Sequence, residues 1–225
     1  MPSKGWEYKD LPNYKLTLVK QAAEVVEDIR SRRMDVLALL ANLRSVHLRM
    51  FTGLTPANEP DYAGHFRGEP IPYLLDYAVG IPANPSVGAP PADVVALMSQ
   101  FETNASQRIH DLDNYHNQNA PEEERLIETI KTACEIFAEF CRIHPFANGN
   151  GHVGRTILLS ILARYQYWPD GFTLDPAPPD PPYSLCVKQH QDGDPIPLEK
   201  FVLKCIRGRV APPPPPPRKK KRLRR

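Results

Sequence analysis

The chain lacks a long apolar run. Nowhere in its 225 residues does an uninterrupted apolar stretch approach the roughly eighteen residues that a membrane-spanning helix needs. The first residues, Met1-Pro-Ser-Lys-Gly-Trp-Glu7, have no apolar stretch of the signal-peptide kind, and the expected setting is intracellular. Cysteine is scarce. Cys134, Cys141, Cys186 and Cys205 form no close-spaced metal pattern. Cys134 and Cys141 stand two helical turns apart in an apolar run and are expected as buried thiols, not a disulfide. Asn104-Ala105-Ser106 fits a glycosylation acceptor, but without a signal peptide the match carries no weight. No internal repeat is found. Acid is missing from one place only: the last eight residues hold seven of the 28 basic residues and no acidic one. That leaves 21 basic against 26 acidic residues elsewhere, a net charge of −5. A body of that sign makes a poor general nucleic-acid binder; the basic charge sits on the tail.

What is present is an apolar fraction of 41%, enough for a packed core, and 26 prolines, six of them in the run Pro212–Pro217. The length suits one large domain, expected over residues 1–210. Its core is placed at about 60–207 and an N-terminal helical segment at 17–50. Helical spacing runs from Leu18 through Ile29 and resumes from Leu37 to Val46 after the polar Arg30-Ser31-Arg32-Arg33, as one long helix or two. Residues 56–91 are rich in proline and glycine. So long a stretch without a helix is either a surface loop or a functional clamp.

Four further helices follow from their start signals and apolar faces. One opens at Pro90-Pro91-Ala92-Asp93 and carries Val94, Leu97, Met98, Phe101, Ile109 and Leu112. A second opens at Pro121 with three glutamates over the positive helix end, then shows a wide apolar face from Leu126 to Cys141. A third spans Val153 to Tyr167, and a last short one lies near Leu198 to Ile206. The fold class is all-α: a helical bundle around the 121–143 helix, with a central helix-loop-helix carrying the active site.

The two most apolar helices are joined by His144-Pro145-Phe146-Ala147-Asn148-Gly149-Asn150-Gly151-His152-Val153-Gly154-Arg155. Gly149 and Gly151 permit backbone angles that aim successive N–H groups at one point, and the next helix adds its positive end. Such a turn is either a plain connection or an anion site suited to phosphate. Asn150 can orient the loop or donate to a phosphate oxygen. Arg155 can reach the same anion with its fork of donors. His144, at the helix end, is either a cap or a base suited to neutral pH.

This segment resembles the active-site motif of the Fic (fido) family, His-Pro-Phe-x-Asp/Glu-Gly-Asn-Gly-Arg-x-x-Arg. His144, Pro145, Phe146, Gly149, Asn150, Gly151 and Arg155 match it. Asn148 stands in place of the acid, and His152 in place of the first arginine. Gly64-His65-Phe66-Arg67 is similar to the segment leading into the family's flap, and Pro90 to Val94 to the helix entry after it. The resemblance implies transfer of AMP from ATP to a Tyr, Ser or Thr hydroxyl of a protein. His144 is then the base and Phe146 anchors the loop in the core. Gly149, Asn150 and Gly151 cradle the phosphates, and Arg155 binds the distal one. His152 donates one bond to a phosphate or stacks on the nucleotide base. The stretch Tyr73–Val87 is the implied flap, a short β-hairpin-like element that pairs with the target peptide. The family's acid helps hold Mg²⁺. Asn148 is a weaker candidate ligand, because an amide oxygen brings no charge.

The departures leave two alternatives to an adenylyltransferase: a transferase with another nucleotide or phosphodiester donor, and a nucleotide-binding adaptor of weak or no activity. The family's inhibitory Ser/Thr-x-x-x-Glu-Gly/Asn motif has no full match. Ser3-Lys-Gly-Trp-Glu7 keeps the spacing but continues into Tyr8, in a start expected to be disordered. Beyond residue 210 the proline run is expected as a stiff disordered spacer, with Arg218–Arg225 as a contact for an import receptor, which allows a nuclear location, or for a polyanion.

Overall fold

A computed structural model describes residues 5–79 and 88–206. The expected spacer and basic tail, and residues 80–87 of the expected flap, lie outside the described residues. Among those described there are eight α-helices and no strand: α1 (Tyr14–Arg30), α2 (Val36–Leu40), α3 (Leu43–Phe51), α4 (Pro91–His116), α5 (Glu122–Ile143), α6 (Asn150–Arg164), α7 (Tyr183–Gln191) and α8 (Ile196–Ile206). The chain is all-α, as its spacing predicts. None of these helices is long and apolar enough to cross a membrane.

The periodic segment at 17–50 is three helices rather than one or two. Ser31 caps α1 and Arg32 follows with φ +57°, a left-handed turn that ends the helix. Asp35 then starts α2 by accepting a hydrogen bond from the Leu37 N–H at 2.9 Å. Helix α7 has no counterpart in the spacing analysis. It follows a proline-rich stretch and is started by Asp180, which accepts from the Ser184 N–H at 3.0 Å; Tyr183 and Cys186 are its only buried residues.

Helix α5 starts under Glu122, Glu123 and Glu124 and buries Ile130, Ala133, Ile136, Phe137 and Phe140. Its closest partner is α6, which is buried on nearly every side and also meets α1, α2 and α3. The pair comes together because Gly154 has no side chain. A Cβ there would lie 2.9 Å from the Phe137 ring and 3.1 Å from the Cys141 sulfur. The bundle is thus centred on the α5–α6 hairpin, not on α5 alone. One hydrophobic core runs from Trp6 to Cys205 and takes in helices from both ends of the chain. The four cysteines are free and buried.

Two expectations are corrected here. The described start of the chain, from Gly5 to the first helix, is packed on the body, with Trp6 and Tyr8 buried. Trp6 stacks on Tyr62 at 5.3 Å, and its indole N–H donates to the Leu54 carbonyl. The segment after α3 is no simple surface loop either, because Tyr62, Phe66, Arg67 and Leu74 are all buried. Its described flap portion, Tyr73–Val79, forms turns and irregular backbone without a strand.

Candidate active site

Helix α5 ends at His144, which takes the left-handed conformation with φ +53° and donates its N–H to the Phe140 carbonyl at 3.0 Å. A non-glycine residue there costs about 1 kcal/mol, and such strain persists only where neighbours hold it. The half-buried ring has its Nδ1 3.3 Å from the Cys141 carbonyl. A carbonyl only accepts, so Nδ1 carries the proton and Nε2 keeps a lone pair. No hydrogen bond among the described residues uses Nε2. Burial lowers the His144 pKa to about 4, and the nearby Arg67 charge acts in the same direction. The ring is therefore neutral at neutral pH.

The loop beyond His144 is fastened at several residues. Phe146 is fully buried and lies flat on the His47 ring at 3.8 Å. Asn150 accepts from the Phe146 N–H at 2.9 Å and donates to the Phe146 carbonyl at 2.8 Å. Of the two roles open to Asn150, loop orientation is the one its side-chain bonds to Phe146 serve in this structure. Gly149 has φ +77°, and a Cβ there would sit 2.3 Å from the Phe51 ring, so only glycine fits. The N–H groups of Asn150 and Gly151, in the first turn of α6, make no hydrogen bond among the described residues. These are the donors a helix N-terminus offers to an anion.

Arg155 and His152 face this end of α6. The Arg155 guanidinium folds back over the first turn, with Nη1 3.1 Å from where a Cβ on Gly151 would lie. Its Nε and Nη2 both donate to the Leu174 carbonyl, at 3.2 and 2.7 Å. His152 sits 3.4 Å from the Asp175 carboxylate, between Tyr8 and Phe51. Burial lowers the His152 pKa more than Asp175 raises it, so this ring too is neutral near pH 7. The expected phosphate-facing side chains are brought together, but residues 174–175 already engage them.

Asn148 does not fit a Mg²⁺ ligand in this arrangement. Its side-chain oxygen accepts from the Gly149 N–H at 2.7 Å, and its NH₂ donates to the Trp6 carbonyl at 3.1 Å. Among the described residues no three His, Cys, Asp or Glu side chains group as a metal site. The Asn148 side chain instead ties the loop to the N-terminal segment.

Four residues of the site escape the motif. His47 is fully buried; its Nε2–H donates to the Asn148 carbonyl at 3.0 Å, and its Nδ1 accepts from the Gly64 N–H at 2.9 Å. Burial lowers its pKa to about 3. Its one sequence signal is position, four residues after Leu43 on the inward face of α3. Arg67 stands in the Gly64–Arg67 segment that is similar to the family's flap entry, though nothing local marks its reach to the loop; Trp6 and Asp175 act across long separations and leave no local pattern.

No curated protein matches the chain. A family model described as the Fic/DOC family matches residues 37–162, from the start of α2 into α6. That span holds His144, the loop and Arg155, together with the His47 and Arg67 that fix them. The chain belongs to the Fic/DOC family.

Proposed function

We propose that the protein transfers AMP from ATP to a Tyr, Ser or Thr hydroxyl of a protein. The observation that carries this reading is the His144 ring: its Nδ1 lies 3.3 Å from the Cys141 carbonyl, which leaves the Nε2 lone pair unshared, and the loop it opens runs into the first turn of α6. In the step proposed, Nε2 takes the hydroxyl proton while the hydroxyl oxygen attacks the α-phosphorus in line. The new O–P bond forms as the bond to pyrophosphate breaks. The Asn150 and Gly151 N–H groups and the α6 dipole receive the developing charge, and Arg155 supplies a full positive charge at the cradle. A phosphate reaching Arg155 exchanges places with the Leu174 carbonyl. We propose no step through Mg²⁺, because the Asn148 oxygen is turned onto its own loop. The exposed strip Pro72, Leu75, Asp76 and Ala78 fits the target-docking role expected near Tyr73.

The test is incubation with α-labelled ATP, GTP, UTP and CTP and a host lysate. Covalent label from ATP alone, lost in His144→Ala, is the expected result. Label from another nucleotide would move the reading to a different donor. One observation favours the adaptor reading: Arg155 and His152 are buried and already engaged by residues 174–175. Nucleotide binding without any covalent transfer would support it.

A further inference from the structure

Arg67 is fully buried and has no carboxylate partner among its hydrogen bonds. Its Nε donates to the His144 carbonyl at 2.9 Å. Nη2 donates to Ile143 at 3.2 Å and to Ala89 at 3.0 Å, and Nη1 donates to Tyr77 at 3.0 Å. Its backbone N–H donates to Pro145 at 2.8 Å. One residue therefore holds three consecutive carbonyls, 143 to 145, across the left-handed turn at His144. It also holds one carbonyl on each side of residues 80–87.

A guanidinium buried without a counter-ion must recover its lost hydration from its hydrogen bonds. Here every one goes to a backbone carbonyl, the charge strengthens each, and the negative end of α5 adds a smaller favourable contribution. A cation that merely filled space would not need a fork reaching two separate segments. The two flanks are themselves in contact. Gly88 and Ala89 donate to the Arg142 and Ile143 carbonyls at 2.9 and 3.0 Å, and a Cβ on Gly88 would meet the Val79 side chain at 2.6 Å.

We infer that Arg67 is the positioning residue of the site: it fixes the backbone of His144, and with it the tautomer and aim of the ring, and locks the target-docking strip at Tyr77 and Ala89 to that base. The inference rests on the proposed role of His144, and its test separates the two. Full-chain protein labelled with ¹⁵N would give the ring signals of His144, assigned against His144→Ala, for wild type, Arg67→Lys and Arg67→Met. The wild type should show one Nδ1–H tautomer that resists protonation down to about pH 4. Arg67→Met should show mixed tautomers and a midpoint moved toward the ordinary 6.5, with Arg67→Lys between them. Where labelling occurs, kcat should fall roughly a hundredfold in Arg67→Met with KM for ATP changed about twofold or less. If Arg67→Met does not fold, Arg67→Lys decides: it keeps the charge but loses the fork. A folded variant whose His144 signals match wild type would overturn the inference, whatever its activity. If the wild type transfers no nucleotide, the functional reading fails, and the tautomer measurement still decides the role of Arg67.

Discussion

At the scale of single residues, the proposed chemistry rests on one imidazole, His144, whose burial holds it neutral. His144→Ala removes that base without touching the packed core, so covalent labelling should vanish while the thermal melt moves by less than about 1 kcal/mol equivalent. Undiminished labelling would falsify the assignment. The pH profile has a definite sign. Protonation of Nε2 abolishes the base, so activity falls on the acid side, and burial sets that fall near pH 4 rather than 6.5. Stability follows the same direction. His47 and His144 have folded-state pKa values below the unfolded 6.5, so the unfolded chain binds more protons below that pH. Stability should therefore drop as pH falls through 6.5 and go on dropping to about 3. Melts at pH 7 and pH 5 would show this, with a smaller pH effect in His47→Gln if that variant folds.

Asn148 is the other informative residue. The substitution Asn148→Asp restores the family's acid but removes the bond to the Trp6 carbonyl and sets a carboxylate against it. The expected cost is on the order of 1–3 kcal/mol in a denaturant melt. The same variant should gain Mg²⁺ binding in calorimetry with the metal alone. An acid tolerated at no cost would mean that the contact with Trp6 is not holding the loop.

At the scale of elements, the site depends on the separation of α5 and α6. Gly154 lets the helices approach until its Cα faces the Phe137 ring and the Cys141 sulfur. Gly154→Ala puts a methyl group inside both contacts, and overpacking of that kind costs about 1–3 kcal/mol. Because the active-site loop joins these two helices, the substitution should also lower labelling, and a chemical-shift map should show displaced signals from 144 to 155. A melt unchanged from wild type would show that the helices separate freely and that the loop does not depend on their spacing. The existence of α5 and α6 was legible from their apolar spacing and from the acids over the start of α5. Their partnership was legible only in part, through the short loop between them. Helix α7 was not legible, because only Tyr183 and Cys186 are buried along it and its start lies among prolines.

At the scale of the whole molecule, the N-terminal segment closes over the loop. Trp6 stacks on Tyr62, its carbonyl accepts from Asn148, and its N–H donates to the Tyr77 hydroxyl at 3.0 Å. It therefore links the segment before α1 to both the loop and the docking strip. Trp6→Ala should cost about 3–5 kcal/mol, the usual range for a buried aromatic. Partial proteolysis near Asn148 should accompany it. A melt within about 1 kcal/mol of wild type would show that the segment rests on the core without supporting it. The sequence by itself determined the fold class, the main helices and the identity of the loop, because periodicity and a contiguous motif are local properties. Only the tertiary structure decided what each loop side chain does. Asn148 and Asn150 are amides that can serve a metal, a phosphate or the backbone, and the choice went to the backbone because Trp6 and Phe146 present unpaired groups within reach. Arg155 and His152 face the cradle as the motif implies, yet Leu174 and Asp175, twenty residues onward in sequence, engage them. Burial drives most polar groups to a partner, and in a folded chain that partner is often far away in sequence.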